Sequence, residues 1–157
     1  MYDLHDFLDP IPIYELNDDN GYTDGQLAKH IAFYDEELPD ITDADIVLLG
    51  INETRGSGIF ESEPNAADCI RRQLYHLHYW HTDVNIADIG NVKTGATLND
   101  SYAALKTVLA ELLRMKKTVV ILGGSHDITL AQYFAYKELK QVVEATCIDA
   151  SINLKGE

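Results

Sequence analysis

No run of about 18 apolar residues occurs in this sequence, so no segment reads as a membrane-spanning helix. The opening MYDLHDFLDP has no lysine or arginine ahead of an apolar stretch, so a secretory leader is not expected. Cysteine is scarce, with only Cys69 and Cys147. One falls in an apparent helix and the other in an apparent strand. Both therefore read as small core residues rather than a disulfide pair. That usage suits a reducing cytoplasm, the expected location. Positive charge is scarce as well. Twelve Lys+Arg stand against 26 Asp+Glu, a formal charge of −14. So acidic a surface repels phosphate backbones and excludes nucleic acid as a partner, and its plain reading is solubility.

What is present is ordinary for a globular domain: 46% hydrophobic and 24% charged residues. A length of 157 residues is enough for one domain with its own core. Residues 1–40 form an acidic arm rich in turn signals, among them Asp9-Pro10, Pro12, Asn17–Gly21 and Asp24-Gly25. A short helix is expected near Gly25–Glu37, and the arm is placed to cover a sheet edge or to meet a second subunit.

Regular patterning begins at Asp45. Ile46–Leu49 is a continuous apolar run closed by Gly50, the mark of a strand buried on both faces. A glycine-bearing loop over 52–62 follows. Pro64 then opens a helix with a stripe at Ala66, Ala67, Ile70, Leu74 and Leu77. Val84–Gly90 reads as a second strand. Asn99 is the expected N-cap of the next helix. That helix buries Tyr102, Leu105, Leu109 and Leu112 and ends at Lys116-Lys117. Thr118–Leu122 is a third strand, Thr129–Lys140 a helix and Ala145–Asp149 a fourth strand. Strands alternating with helices predict βαβ units in a parallel sheet, a three-layer αβα fold. Functional loops of such sheets sit at the C-terminal ends of strands. A sequence stopping just past the fourth strand therefore implies a sheet completed by another chain or by further sequence.

The most specific segment is Gly123-Gly124-Ser125-His126-Asp127, between a strand and a helix. Two glycines permit a tight turn at the sheet edge. His126 then stands at the rim, where an imidazole ligates a metal or moves a proton, with Asp127 placed to orient it. The competing reading is a plain helix start capped by Ser125 or Asp127. Asp149, at the end of the next strand, would meet His126 if the two strands are neighbours, as sequential strands often are.

The Gly-Gly-x-His pattern at 123–126 resembles the motif of the ureohydrolase family, which comprises arginase, agmatinase and formimidoylglutamase. An acidic residue after the histidine is more similar to the formimidoylglutamase branch. Other segments align in order. Glu53, Arg55-Gly56, Gly58, Pro64 and Ile70-Arg71 look like the family's early loop and Pro-x-x-Ile-Arg helix, with wider spacing from Pro64 to Ile70. Asp88-Ile89-Gly90-Asn91 is similar to its Asp-x-Gly-Asp strand end, and Asp149-Ala150-Ser151-Ile152-Asn153 to its Asp-Ala-His-x-Asp metal motif.

The resemblance covers 45–157. It implies the N-terminal portion of an arginase-like domain over 41–157, incomplete at its C-terminal end. It further implies manganese as cofactor, His126 and Asp149 as metal ligands, and Asp127 beside the metal or facing substrate. The implied reaction is hydrolysis of a guanidino or formimino C–N bond. The departures are equally specific. Ser151 stands where the family has histidine and Asn153 where it has aspartate, and both are poor ligands for a hard dication. A later Ser-x-Asp-x-Asp segment is missing. Of the family's metal-binding side chains only His126 and Asp149 match, too few for a metal pair.

Other patterns carry less. His76, His78 and His81 crowd together, but alternate residues of a helix diverge and no carboxylate or cysteine closes a set. Ser125 beside His126 lacks the Gly-x-Ser-x-Gly elbow of a nucleophile. Gly56-x-Gly58 is too short for a dinucleotide loop. The expected function is thus a ureohydrolase-like, manganese-dependent protein, inactive as this isolated chain and assembled as a homo-oligomer. The alternatives are a non-catalytic arginase-like binding or assembly module, and a binder of small anions or nucleotides at the Gly123-Gly124 turn.

Overall fold

A computed structural model describes residues 3–17, 21–58 and 65–149; Pro64, Ser151 and Asn153 lie outside the described residues. The chain enters through a two-residue strand β1 (Leu8–Asp9), a single-turn helix α1 (Ile13–Leu16) and a second short strand β2 (Ala32–Phe33). The main body runs β3 (Ile46–Ile51), α2 (Ala66–Leu74), β4 (Ile86–Val92), α3 (Leu98–Arg114), β5 (Thr118–Leu122) and α4 (Thr129–Glu138). No described helix is long and apolar enough to cross a membrane.

The sheet is built around β3. Strand β4 lies parallel on one side and β5 parallel on the other. The outer edge of β4 is covered by β2, parallel, and by β1, antiparallel, so the arm supplies two short strands to the sheet. β3 is apolar without alternation because both of its faces are buried. Val47, Leu49 and Ile51 join Leu105, Val108, Leu109 and Leu112 of α3 and Ala131 and Ala135 of α4 in one core layer. Leu48 faces the other way, toward Ala67 of α2 and Leu122. Each such Leu, Ile or Val contributes about 1.5–3 kcal/mol through burial. A third cluster packs Ile11, Ile13, Leu16, Leu27 and Ile31 of the arm around Tyr75.

Four expectations are corrected here. Between Gly25 and Glu37 there is no α-helix, only one 3-10 turn at Leu27–Lys29 followed by β2. Tertiary hydrogen bonds override local pattern: Leu27 and Ala28 N–H donate to the carbonyls of Leu77 and Tyr75, and Tyr34 N–H donates to Asp88. Helix α3 is capped by Thr97, not Asn99. The Thr97 hydroxyl accepts from Asp100 N–H while the Asp100 carboxylate accepts from Thr97 N–H, so a capping box starts the helix two residues early.

The fourth strand is absent: Ala145–Asp149 is irregular and exposed, and Ile148 is 98% exposed. A β-rich run becomes a strand only where a ladder accepts it, and sequential strands are neighbours in only about two-thirds of cases. Among the described residues β5 pairs with β3 alone. Finally, neither cysteine is a core residue, since Cys69 is half-buried and Cys147 exposed.

Candidate functional site

Loops at the C-terminal ends of β3 and β5 meet above the sheet. Gly123 and Gly124 adopt φ of +81° and +77°. A side chain at Gly123 would come 2.8 Å from the Ile51 carbonyl oxygen, so this turn lies directly against the end of β3. Ser125 N–H donates to the Glu53 carbonyl at 2.9 Å, and Ser125 Oγ lies 3.2 Å from the same oxygen. His126–Ile128 then make one 3-10 turn leading into α4, and no side chain caps either helix start. The capping reading of Ser125 and Asp127 therefore fails.

Asp127 instead accepts short hydrogen bonds from the hydroxyls of Tyr102 on α3 and Ser125. Gly56 leaves the room for this carboxylate, since a side chain there would collide with it. Burial and the bond to Asp127 push the Tyr102 hydroxyl up to about 12, so it stays a donor. Asp127 thus ties the turn carrying His126 to the neighbouring helix.

His126 projects from that turn with its side chain 53% exposed, open to an incoming ion. Its Nδ1 stands 3.5 Å from Asp149 Oδ2. That is at the outer limit of hydrogen bonding and close to the spacing of two ligands on one ion. The structure brings His126 and Asp149 together although Ala145–Asp149 is not a strand. It also adds Cys147, whose sulfur, with the His126 nitrogen and an Asp149 oxygen, completes a trio of ligand atoms all within 4.8 Å of one another. Cys147 is thus at the exposed rim and not in the core. Its spacing of two from Asp149 is the signal in the sequence, since alternate residues of a β-rich run share a face.

Beneath the rim sits Glu53, only 1% exposed. Arg55 grips its carboxylate with bonds of 2.6–3.2 Å and also donates to the carbonyls of Gly95 and Ala96 and to Ser101 Oγ. These bonds join the loop after β3 to the loop before α3. The Arg55 hydrogen bonds hold the Glu53 carboxyl at about 2. A carboxyl depressed in the folded state stabilises fully above its unfolded value of about 4.3, and the stabilisation fades as pH falls toward about 2. Glu53→Gln is therefore expected to flatten the acid limb of the stability curve between about pH 4.5 and pH 2. Urea midpoints taken across that range check this; an unchanged limb would place the acid sensitivity elsewhere.

The three crowded histidines lie beyond the end of α2. The His76 ring nitrogen pairs with the Gln26 amide at 3.1 Å, and His81 packs on Trp80 with ring centroids 3.8 Å apart. Among the described residues they take part in no metal-ligand group.

The solved structures similar to this chain include a Trypanosoma cruzi formiminoglutamase with Mn2+2. The TM-score is 0.60 and the identity 19%, over 74% of this chain and 41% of that chain. The oxidized form of that enzyme with Mn2+2 at pH 6.0 gives 0.57 and 20%, over 74% and 42%. An arginase superfamily protein from T. cruzi gives 0.52 and 17%, over 64% and 40%. The chain thus spans 40–42% of the length of these structures, and at these identities the likeness shows the fold. No curated protein matches. The model of the arginase family matches residues 44–154, a span holding β3 through α4 and every rim residue described above, and on that match this chain belongs to the arginase family.

Proposed function

We propose that this chain supplies one part of a metal-dependent ureohydrolase-type site, for hydrolysis of a guanidino or formimino C–N bond. Its own described residues hold no more than one divalent ion, and alone it does not turn over. The observation that carries this reading is the approach of His126 Nδ1 to Asp149 Oδ2 at the sheet edge, on a turn fixed by paired glycines.

The T. cruzi formiminoglutamase structures contain manganese. A pair of such ions needs several carboxylates to bind and bridge them. Among the described residues the converging donors are one imidazole, one thiol and one carboxylate, which fit a single ion and not a manganese pair. A divalent ion there would supply Lewis acidity and a water activated near neutral pH. The protein's part is positional. His126 and Asp149 bind. Asp127, through Tyr102 and Ser125, holds the His126 turn in place. Ser125 anchors that turn to the loop after β3.

With manganese added, the purified chain is expected to release no urea, ammonia or formamide above buffer from arginine, agmatine or formimidoylglutamate. Turnover abolished by His126→Ala would overturn the claim that this site is incomplete.

A non-catalytic module that assembles with itself is favoured by a different observation. Leu130, Tyr133 and Phe134 on α4 are 39–54% exposed. Apolar groups so placed suit a covering surface. Sedimentation separates the readings: a stable oligomer with neither metal nor turnover supports the module.

A further inference from the structure

We propose that Cys147 is a third metal ligand, and that the His126–Cys147–Asp149 trio selects a thiophilic dication such as zinc over manganese. This rests on the reading above, that His126 and Asp149 bind an ion, and adds to it the donor that decides which ion.

The geometry is nearly that of a bound site. The three ligand atoms lie within 4.8 Å of one another, with nitrogen and oxygen 3.5 Å apart. A tetrahedral ion with bonds of about 2.0–2.3 Å spaces its ligands by roughly 3.4–3.7 Å. Closing the trio around an ion therefore needs the exposed side chains to draw together by about 1 Å. All three residues are exposed, so a fourth position stays open to water, as in catalytic rather than structural zinc sites. Neither cysteine is in a disulfide, so the Cys147 sulfur is free to ligate an ion.

The chemistry points the same way. Thiolate is a soft donor that favours zinc and cobalt, whereas manganese prefers oxygen and stands lowest among these ions in general affinity. Charge sets the number of ions. A neutral imidazole, a thiolate and a carboxylate balance one dication, and a second would sit beside the first without compensating charge.

Cobalt is the probe. The reduced, metal-free full chain titrated with cobalt(II) is expected to bind one equivalent, with strong visible bands of a tetrahedral site and a near-ultraviolet sulfur-to-cobalt charge-transfer band. Cys147→Ser should remove the near-ultraviolet band and weaken cobalt binding by at least about 100-fold, more than the loss of a group that only orients a ligand. Cys69→Ser should leave the band unchanged, and His126→Ala should abolish binding. Zinc should displace the cobalt at equal concentration, and manganese should not. Cobalt bound without the charge-transfer band, and unaffected by Cys147→Ser, would overturn the third ligand while leaving the His126–Asp149 site standing. Binding indifferent to both Cys147→Ser and His126→Ala would overturn that site as well. Manganese displacing cobalt at equal concentration would overturn the selectivity.

Discussion

Replacing Arg71 by methionine is expected to remove about 3–5 kcal/mol of stability, because it leaves a fully buried carboxylate without its counter-charge. Arg71 is wholly buried on α2 and directs its guanidinium onto the end of β4. Its Nε and Nη2 each donate to Asp88 at 2.8 Å, its Nη1 donates to Asn91 at 2.6 Å and Asp68 at 2.9 Å, and its Nη2 reaches the Gly90 carbonyl at 3.0 Å. The Tyr75 hydroxyl donates to Asp88 at 3.0 Å. Burial works against the charge on Arg71, but the bonds to Asp88 together with the electrostatic pull of Asp88, Tyr75 and Asp68 outweigh it and hold the guanidinium above its usual value.

Such a network adds little net stability over a well-packed apolar replacement, yet removing one partner is costly. Urea denaturation of Arg71→Met, and of a double variant that also carries Asp88→Leu, separates the two effects. The double variant is expected to regain part of the loss. A single-variant loss under about 1 kcal/mol would mean the carboxylate finds water or protonates cheaply.

Gly90→Ala is expected to cost at least about 2 kcal/mol and to loosen the N-terminal arm. Gly90 has φ of +85°, and a side chain there would stand 2.1 Å from the Asp9 carbonyl oxygen and 3.0 Å from the Tyr34 ring. Asp9 belongs to β1, whose register with β4 is Leu8↔Val92 and Asp9↔Asn91. Strand β1 must therefore separate from β4 or the Gly90 backbone must flip. Gly58 provides the control: it has φ of +82°, but among the described residues an added side chain there meets nothing within 4 Å. Gly58→Ala should cost only the conformational strain of about 1–2 kcal/mol. Limited proteolysis should cut the arm of Gly90→Ala faster than that of the parent. Equal losses at the two glycines would show that β1 yields freely.

Where local chemistry decides the structure, the sequence was readable. Ile46–Leu49 and Thr118–Leu122 are apolar runs ended by glycine, and both are strands at the expected places. The helix expected after Pro64 is there as α2, but it ends at Leu74, and Ile70 and Leu77 of the expected apolar stripe are exposed. Where distant partners decide, reading failed. Leu27 and Ala28 follow the carbonyls of Tyr75 and Leu77 rather than a helical period. Ala145–Asp149 has strand composition but stays irregular, although among the described residues no strand occupies the outer edge of β5.

The site divides in the same way. His126 was legible because a glycine pair at a strand end presents the next residues at the rim. Its approach to Asp149 does not come from pairing of neighbouring strands; it arises from irregular chain passing over the turn. The bonds of Asp127 to Tyr102, 25 residues away, and of Arg55 to the carbonyl of Gly95, 40 residues away, had no local signal.

Manganese binding followed by electron paramagnetic resonance tests the site most directly, because free and bound ion are counted separately. The chain is predicted to take up at most one manganese, weakly, and His126→Ala to take up none. Two ions bound per chain, or one ion held equally well after His126→Ala, would contradict a single-ion site built on His126 and Asp149.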